Sequence, residues 1–156
     1  MPRFENLGIL NNADSGDNSM MQNKSIYIHS QYGSPPNNFI HMKTNINTVN
    51  NMWMFEAVGY DYCYATTIRT AWVVHKSGGG LYQIGVVNIN SGPFSANTVY
   101  LSGDQCLVVV AYMPGCWQGF TLNAYNTAPI YNSPLSNDGM VTVTATAFSG
   151  SNSPIY

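Results

Sequence analysis

Histidine and serine side chains are the first places to look for metal or nucleophilic chemistry in this chain. The three histidines, His29, His41 and His75, fall in three different predicted strands, and none has a second histidine at the spacing of a metal-binding pair. No Gly-x-Ser-x-Gly turn is present to expose a serine nucleophile. These residue types therefore predict neither a metal site nor a hydrolase of that kind.

The acidic residues are also poorly placed for catalysis. Glu56 and Asp61 lie five positions apart in one predicted strand, so the period of two places them on opposite faces, unsuited to paired acid and base work. Asp14 and Asp17 lie in a polar segment and are expected to be solvated. The glycines at 78–80 are typical of a hairpin tip, since no Lys-Ser or Lys-Thr follows to bind phosphate. We therefore expect no enzyme, no cofactor and no bound metal.

The three cysteines, Cys63, Cys106 and Cys116, form no Cys-x-x-Cys spacing and are odd in number. All three lie in or beside apolar strands, where a thiol usually packs as a small apolar group. The simplest prediction is buried free thiols in a protein that is made in a reducing cytoplasm. A bridge between Cys106 and Cys116 across neighbouring strands is the alternative.

Composition excludes further classes of protein. At 156 residues the chain has the length of one domain, and charged side chains make up 8 % of it, far below the roughly 25 % of ordinary soluble domains. The formal net charge is -2 and the five basic residues are scattered, which argues against nucleic-acid binding. The apolar stretch 107–113 is too short to cross a bilayer, and the N-terminus has no apolar signal-peptide core.

Hydrophobic alternation predicts an all-β fold with no helix. Short strands recur at roughly ten-residue spacing, separated by Gly, Pro, Asn and Ser, which favours an antiparallel β-sandwich, most simply a jelly roll. The dipeptide Pro114-Gly115 predicts a hairpin between the strands on either side of it. The predicted strands are residues 25–30, 38–45, 52–64, 68–75, 81–88, 98–101, 106–113, 117–126 and 140–148.

The two ends of the chain carry different patterns. Residues 1–24 contain the polar run 11–19 and show no period, so we predict an extended N-terminal arm, followed by a β-sandwich domain at 25–156. The arm either docks on a partner or is a disordered terminus. For attachment it would offer its apolar residues Phe4, Leu7, Ile9 and Leu10.

Alternation is strictest near the C-terminus. The segment 141–147 (VTVTATA) places valines and alanines on one face and threonines on the other. The first face is expected in the core. The threonine face is either exposed to solvent or a contact between subunits.

Aromatic residues supply 13 % of the chain, and most are expected in the core. Rings that lie near predicted turns are candidates for binding a glycan or a protein, because an aromatic ring offers an apolar face with a polar rim. These candidates are Tyr32, Tyr82, Trp117, Tyr125 and Tyr131.

Residues 41–46 (HMKTNI) and 54–62 (MFEAVGYDY) resemble the HxKTNI and MFxxxGYxY signature of fibre-type proteins of tailed bacteriophages, especially those of aquatic hosts such as cyanobacteria. Residues 104–110 and 119–125 are similar to the usual continuation of that signature, so the likeness covers about 25–148. The resemblance implies a β-rich virion protein, assembled in the host cytoplasm, that forms homotrimers.

The short arm departs from a typical tail fibre, which carries a long shaft before such a module. We therefore expect a short fibre or a particle-surface, decoration-like protein that docks on a baseplate, tail or capsid protein. The alternative is an adhesin module that binds a host receptor or glycan through its loop aromatics. Neither function involves nucleic acid or membrane insertion.

Overall fold

A computed structural model describes residues 24–31, 38–47, 49, 51–89, 91–113, 118–129, 142–149 and 153–156. Every regular element in these ranges is a β-strand, and none of the described residues forms a helix long and apolar enough to span a membrane. The nine strands are β1 (Lys24–Gln31), β2 (Asn38–Thr44), β3 (Asn51–Asp61), β4 (Thr66–Ser77), β5 (Gly80–Asn88), β6 (Ser95–Leu101), β7 (Leu107–Met113), β8 (Gln118–Pro129) and β9 (Val143–Ser149).

The strands form two antiparallel sheets that pack face to face, which confirms the predicted β-sandwich. One sheet has five strands in the order β1-β8-β3-β4-β5, and the other has four in the order β6-β7-β2-β9. The pairs β1 with β8 and β2 with β7 are nested, as in a jelly roll, while β3, β4 and β5 follow one another as a meander. The predicted arm at 1–24 lies outside the described residues apart from Lys24, which begins β1.

The hairpin predicted around Pro114-Gly115 is wrong. β7 pairs with β2 and β6 in the four-stranded sheet, whereas β8 pairs with β1 and β3 in the five-stranded sheet. Proline and glycine between two strands mark a change of direction, but they do not decide whether the strands then share a sheet. Here the chain changes sheet, because both faces of the core need a central apolar strand.

Alternating residues of the central strands form the core. β4 shows the alternation clearly, with buried Ile68, Thr70, Trp72, Val74 and Lys76 on its inner face. β7 is buried along nearly its whole length because it lies inside the sheet between β6 and β2. The largest apolar side chains of the core are Trp53, Trp72, Phe55, Phe94, Ile40, Met42, Ile46, Ile68, Leu107, Met113 and Leu122.

The segment after β2 ties three strands together. Thr44 Oγ1 donates to the Leu107 carbonyl oxygen at 2.9 Å, and Leu107 N donates to the Ile46 carbonyl at 2.9 Å. Asn45 exchanges bonds with Thr142, since Asn45 N donates to its carbonyl at 3.2 Å and Asn45 Oδ1 accepts from its amide at 3.0 Å. The HMKTNI motif therefore has a structural role, joining the end of β2 to β7 and to the start of β9.

β9 follows its predicted alternation where its side chains are described. Val143 packs partly against the core, and Thr144 is exposed. The threonine face at this position therefore contacts solvent within the single chain.

Gly59, in the motif at residues 54–62, is required by the close approach of β3 and β8. Gly59 pairs with Phe120, and a Cβ at position 59 would overlap the Gly119 carbonyl oxygen and lie 2.6 Å from Phe120 Cα. Both obstacles are backbone atoms, so the strand itself would have to move.

Gly59→Ala is expected to lower the free energy of unfolding by about 1–3 kcal/mol, because the added methyl group must push β8 away. Gly79→Ala is the matched control, since a Cβ at Gly79 meets nothing within 4 Å and its φ is not positive. Urea denaturation of both variants measures the effect. Equal stability of the two variants would show that β3 and β8 do not approach as described.

Candidate functional site

Three tyrosines at the β3–β4 connection form the most exposed aromatic cluster among the described residues. Tyr60, Tyr62 and Tyr64 are 52 %, 58 % and 53 % exposed. Together with the connection at 62–65 they are called the tyrosine turn below. Large rings at the end of a rigid hairpin provide contact area at a low cost in side-chain entropy, which is why tyrosine dominates many protein recognition surfaces.

The tyrosine turn begins earlier than the sequence predicts. The alternating aromatic row suggests a strand to position 64, but β3 ends at Asp61 and residues 62–65 form a turn. Ala65 N donates to the Tyr62 carbonyl at 3.2 Å, and Ala65 adopts a left-handed φ of 49°. Such a φ is uncommon for a residue other than glycine and fits a four-residue hairpin loop.

A row of buried polar side chains lies beneath the tyrosine turn. Asp61 pairs with Thr66 on one side and with Gln118 on the other, so the three residues lie side by side across β8, β3 and β4. Gln118 Nε2 donates to Asp61 Oδ2 at 2.7 Å, and both residues are buried. The second Asp61 oxygen, Gln118 Oε1 and Thr66 Oγ1 are buried without a hydrogen-bond partner. This amide–carboxylate bond fixes the last pair of the β3–β8 ladder.

Thr66 is also closed off from the other side. A Cβ at Gly92 would overlap Thr66 Oγ1, so the segment before β6 approaches the row closely only because residue 92 has no side chain. The base of the tyrosine turn is thus held by β8 on one side and by the 91–94 segment on the other. A base held on both sides and presenting exposed rings is suited to binding.

The binding residues expected from the sequence fall into two groups. Tyr82 is 56 % exposed on β5, as expected, and its ring lies 6.4 Å from that of His75. Tyr125 was expected to be exposed, and this is wrong: it is 8 % exposed, and its hydroxyl donates to Glu56 Oε2 at 3.2 Å. Burial, followed by the nearby Glu56 charge, raises the pKa of Tyr125. The remaining candidates lie outside the described residues, namely Tyr32, Trp117, Tyr131, Phe4, Leu7, Ile9 and Leu10.

A second exposed surface lies along the β5 edge of the same sheet. β5 is an edge strand that exposes several large apolar side chains. Val73 of the neighbouring β4 and Ile89, just after β5, are exposed beside them. Val87 pairs with Ala71 and faces outward, while Val86 pairs with the buried Trp72 and yet is exposed. The β5 surface, as it is called below, consists of Val73, Tyr82, Ile84, Val86, Val87 and Ile89.

An open polar cavity of about 430 Å³ lies at the end of β2. At its edge Lys43 Nζ contacts Asp104 Oδ2 at 2.8 Å and lies 5.7 Å from the centre of the Tyr156 ring. Hydrogen bonds from Lys43 and Ser102 lower the pKa of Asp104 to about 2, so this pair is charged at neutral pH. The pair is solvent-exposed and adds little stability, since water and salt screen it.

Lys76 has a structural role near that cavity. Its buried ammonium donates to the Asn47 carbonyl at 2.7 Å and to the Gln105 carbonyl at 2.6 Å. Burial lowers the pKa of Lys76. These two hydrogen bonds connect the loop after β2 and the β6–β7 turn to β4. The Lys76 ammonium therefore stabilises the position of both loops.

The histidines do not form a metal site in the described part of the chain, where no group of three or more His, Cys, Asp or Glu side chains converges. His41 is buried, and its Nδ1 atom forms a hydrogen bond of 3.1 Å with the Tyr100 hydroxyl oxygen. Glu56 faces outward and contacts Arg69 Nε at 3.5 Å, whereas Asp61 is buried on the opposite face, as the alternation predicts.

The prediction of buried free thiols is confirmed at Cys106 and wrong at Cys63. Cys106 is a buried free thiol, so the predicted alternative of a Cys106–Cys116 bridge is wrong. Burial, and then the Asp104 charge, raises the pKa of Cys106, which makes it a poor nucleophile. Cys63, by contrast, is exposed in the tyrosine turn and is disulfide-bonded, so the prediction of buried free thiols fails at this position.

Asp61→Ala is expected to lower the free energy of unfolding by about 1–3 kcal/mol, because it leaves the buried Gln118 amide without its acceptor. Asp61→Asn keeps that acceptor and adds an N–H donor beside unpaired buried oxygens, so it is expected to be neutral or stabilising. Urea denaturation of the two variants at pH 7 compares them. Equal destabilisation by both changes would mean that the negative charge, rather than the hydrogen bond, holds the row together.

Comparisons with known proteins give no match from which a function could be argued. No protein-family model, no curated protein and no solved structure matches this chain. The tyrosine turn and the β5 surface are therefore the two features from which a function is argued.

Proposed function

We propose that this chain is a virion structural module of a tailed bacteriophage, a short fibre or particle-surface component that forms homotrimers and docks on a larger virion protein. Three features support the proposal: the all-β sandwich, the low content of charge, and the resemblance of residues 41–46 and 54–62 to phage fibre proteins. The observation that carries it is the β5 surface.

The β5 edge carries an irregularity opposite Val74, where Gln83 has a φ of 50°, but its sequence has no charge or proline to keep it from pairing with another strand. Natural proteins protect exposed edges with lysines, prolines, inward-pointing charges or covering segments. Residues 80–89 contain no charged residue and no proline, and Ile89 is 64 % exposed. Burying apolar area of this kind yields about 25 cal/mol per Å², and an apolar edge that remained exposed would favour aggregation. A partner surface is the physical solution.

Copies of the same chain suit this surface as partners. Association between identical molecules is opposed by their like charges, and this chain carries a net charge of only -2, with none of it on β5. A free strand edge offers backbone donors and acceptors as well as apolar side chains, so pairing satisfies both. Attachment to the larger virion protein is assigned in this proposal to residues 1–24.

Val87→Lys and Ile89→Lys are expected to convert the trimer to monomers, because each places a charge in the contact. Thr67→Lys is the matched control, since it adds the same charge to an exposed position of the same sheet near the tyrosine turn. Light scattering on purified protein measures the mass, which should be three times 17.1 kDa for the natural chain and for the control. A natural chain that stays monomeric at micromolar concentration would refute the proposal.

A second candidate function is supported by the tyrosine turn. We propose that an assembled particle uses these exposed rings to bind a glycan of the host surface. The tyrosine turn and the β5 surface lie at different places on the five-stranded sheet: Tyr60 pairs with Thr67 near one end of β4, whereas Tyr82 pairs with His75 near the other. The β5 surface also reaches Ile89, whose amide donates to the Arg69 carbonyl at 3.0 Å. The turn at 62–65 lies beyond this last contact of β4, so self-association through β5 leaves Tyr62 and Tyr64 accessible.

Tyr62→Ser is expected to weaken glycan binding by about tenfold, the effect of losing one well-placed aromatic contact. Val58→Ser is the matched comparison, because it removes an exposed apolar side chain of β3 that belongs neither to the tyrosine turn nor to the β5 surface. Binding of the labelled trimer to an array of immobilised bacterial glycans measures the effect. A natural chain that binds no glycan, or an equal loss in the Val58 variant, would contradict recognition by the tyrosine turn.

A further inference from the structure

Three oxygen atoms beneath the tyrosine turn are not used by the proposed function. Asp61 Oδ1, Thr66 Oγ1 and Gln118 Oε1 are buried and have no hydrogen-bond partner. Asp61 is fully buried and Gln118 is 2 % exposed, so both side chains are withdrawn from bulk water. A buried polar atom without a partner is costly, and three of them in one row require a common explanation. We propose that these oxygens are ligands of one monovalent metal cation, with Na⁺ as the representative ion.

The strand register places the three side chains on one face of the sheet. Asp61 of β3 is paired with Thr66 of β4 on one side and with Gln118 of β8 on the other. Directly opposed residues of antiparallel strands point to the same side, with Cβ atoms about 4.5–5.5 Å apart. That side is the inner face, because Ile68 and Phe120, two residues further along β4 and β8, are both buried in the core. The three side chains are therefore neighbours, with Asp61 in the middle.

The donor atoms of the row are those that a hard cation prefers. They are a carboxylate oxygen, an amide oxygen and a hydroxyl oxygen, with no nitrogen or sulfur among them. The Gln118 amide nitrogen already donates to Asp61 Oδ2 at 2.7 Å, which leaves Oε1 and Asp61 Oδ1 as acceptors only. The Thr66 hydroxyl has one hydrogen, so the row cannot satisfy itself. A cation accepts electron pairs from all three oxygens at once.

Charge balance selects a monovalent ion. Asp61 is the single acidic side chain of the row, and it forms no ion pair within the described residues, where Lys43 and Arg69 contact other acids. A buried carboxylate is stable when one positive charge neutralises it, whereas Ca²⁺ or Mg²⁺ would leave a buried positive charge uncompensated. Ca²⁺ also takes about six to eight oxygen ligands, and Mg²⁺ keeps several waters. A site with one acid gives no signal as a cluster of acidic or metal-binding residues in the sequence.

The cation has a defined structural effect. It connects the ends of β8, β3 and β4 directly beneath the turn at 62–65, in addition to the hydrogen bond between Asp61 and Gln118. The close approach of Gly92 to Thr66 Oγ1 encloses the row from the other side. The position of the tyrosine turn therefore depends on the ion. This inference does not rest on the proposed virion role or on glycan binding.

Thermal unfolding in different chloride salts tests the site on the natural chain. The salts are choline chloride, NaCl and KCl, each at about 0.1 M and neutral pH, so that the screening of surface charges is equal. An ion that binds only the folded chain stabilises it by mass action. At about ten times its dissociation constant, Na⁺ or K⁺ should raise the Tm by roughly 3–6 °C relative to choline. Hydrogen exchange at residues 62–65 should slow in the same salts, because the ion holds the base of the turn.

Two conservative variants remove ligand atoms while keeping the row folded. Asp61→Asn keeps the acceptor for the Gln118 amide and removes the charge, and Thr66→Val keeps the shape and removes the hydroxyl. In choline chloride both should unfold at a Tm no lower than that of the natural chain, because each replaces a buried oxygen that has no partner. Neither should gain stability in NaCl or KCl. Asp104→Asn is the matched control: it removes an acidic charge from a side chain that is 60 % exposed, and it should keep the full response.

Three outcomes would overturn the proposal. An equal Tm of the natural chain in all three salts would mean that the row holds no metal cation. A response that survives in both Asp61→Asn and Thr66→Val would place the ion elsewhere. A larger response to about 1 mM calcium chloride than to NaCl would refute the argument from charge balance.

Discussion

The hydrogen bond from Trp72 Nε1 to the Val110 carbonyl oxygen, 3.0 Å long, crosses from one sheet to the other in the middle of the sandwich. Trp72 and Val110 are fully buried at the centres of β4 and β7. Because an indole N–H buried without a partner is costly, the two sheets cannot slide relative to each other without losing this bond. Their alignment in turn decides which inner-face positions are covered and which strand edge remains open. The β5 surface exists because β5 is the last strand of the five-stranded sheet and has only β4 as a hydrogen-bonded neighbour in that sheet.

A chain so poor in charge holds its turns by single buried polar contacts. Lys76 fastens two loops through backbone carbonyls, Thr44 joins β2 to β7, and Asp61 joins β3 to β8 through Gln118. Each contact connects segments that are far apart in sequence, and each uses a donor or acceptor that burial would otherwise leave unsatisfied. These contacts fix the positions of the turns relative to the core strands.

The two proposed contact surfaces follow from the same arrangement. The tyrosine turn lies where β3, β4 and β8 end together, and its base is fixed by Asp61 and the close approach of Gly92 to Thr66. The β5 surface lies along the lateral edge of the sheet, from Tyr82 opposite His75 to Ile89 beside Arg69. The tyrosine turn presents three aromatic rings with polar rims, whereas the β5 surface presents five aliphatic side chains and a single tyrosine. This difference in chemistry is the reason for assigning recognition to the first and self-association to the second.

The sequence alone determined the all-β class and the number and approximate positions of the strands, because alternation and turn residues are local properties. It also placed Glu56 and Asp61 on opposite faces and Tyr82 at the surface. Tertiary structure decided the rest. Pro114-Gly115 looked like a hairpin, but the sheet in which a strand pairs depends on distant partners. The sequence predicts an exposed Tyr125, but the ring is buried and its hydroxyl donates to Glu56 on the neighbouring strand β3. Cys63 looked like a buried free thiol, but it is exposed in the turn and disulfide-bonded, because the position of a turn and the partner of a cysteine depend on the fold.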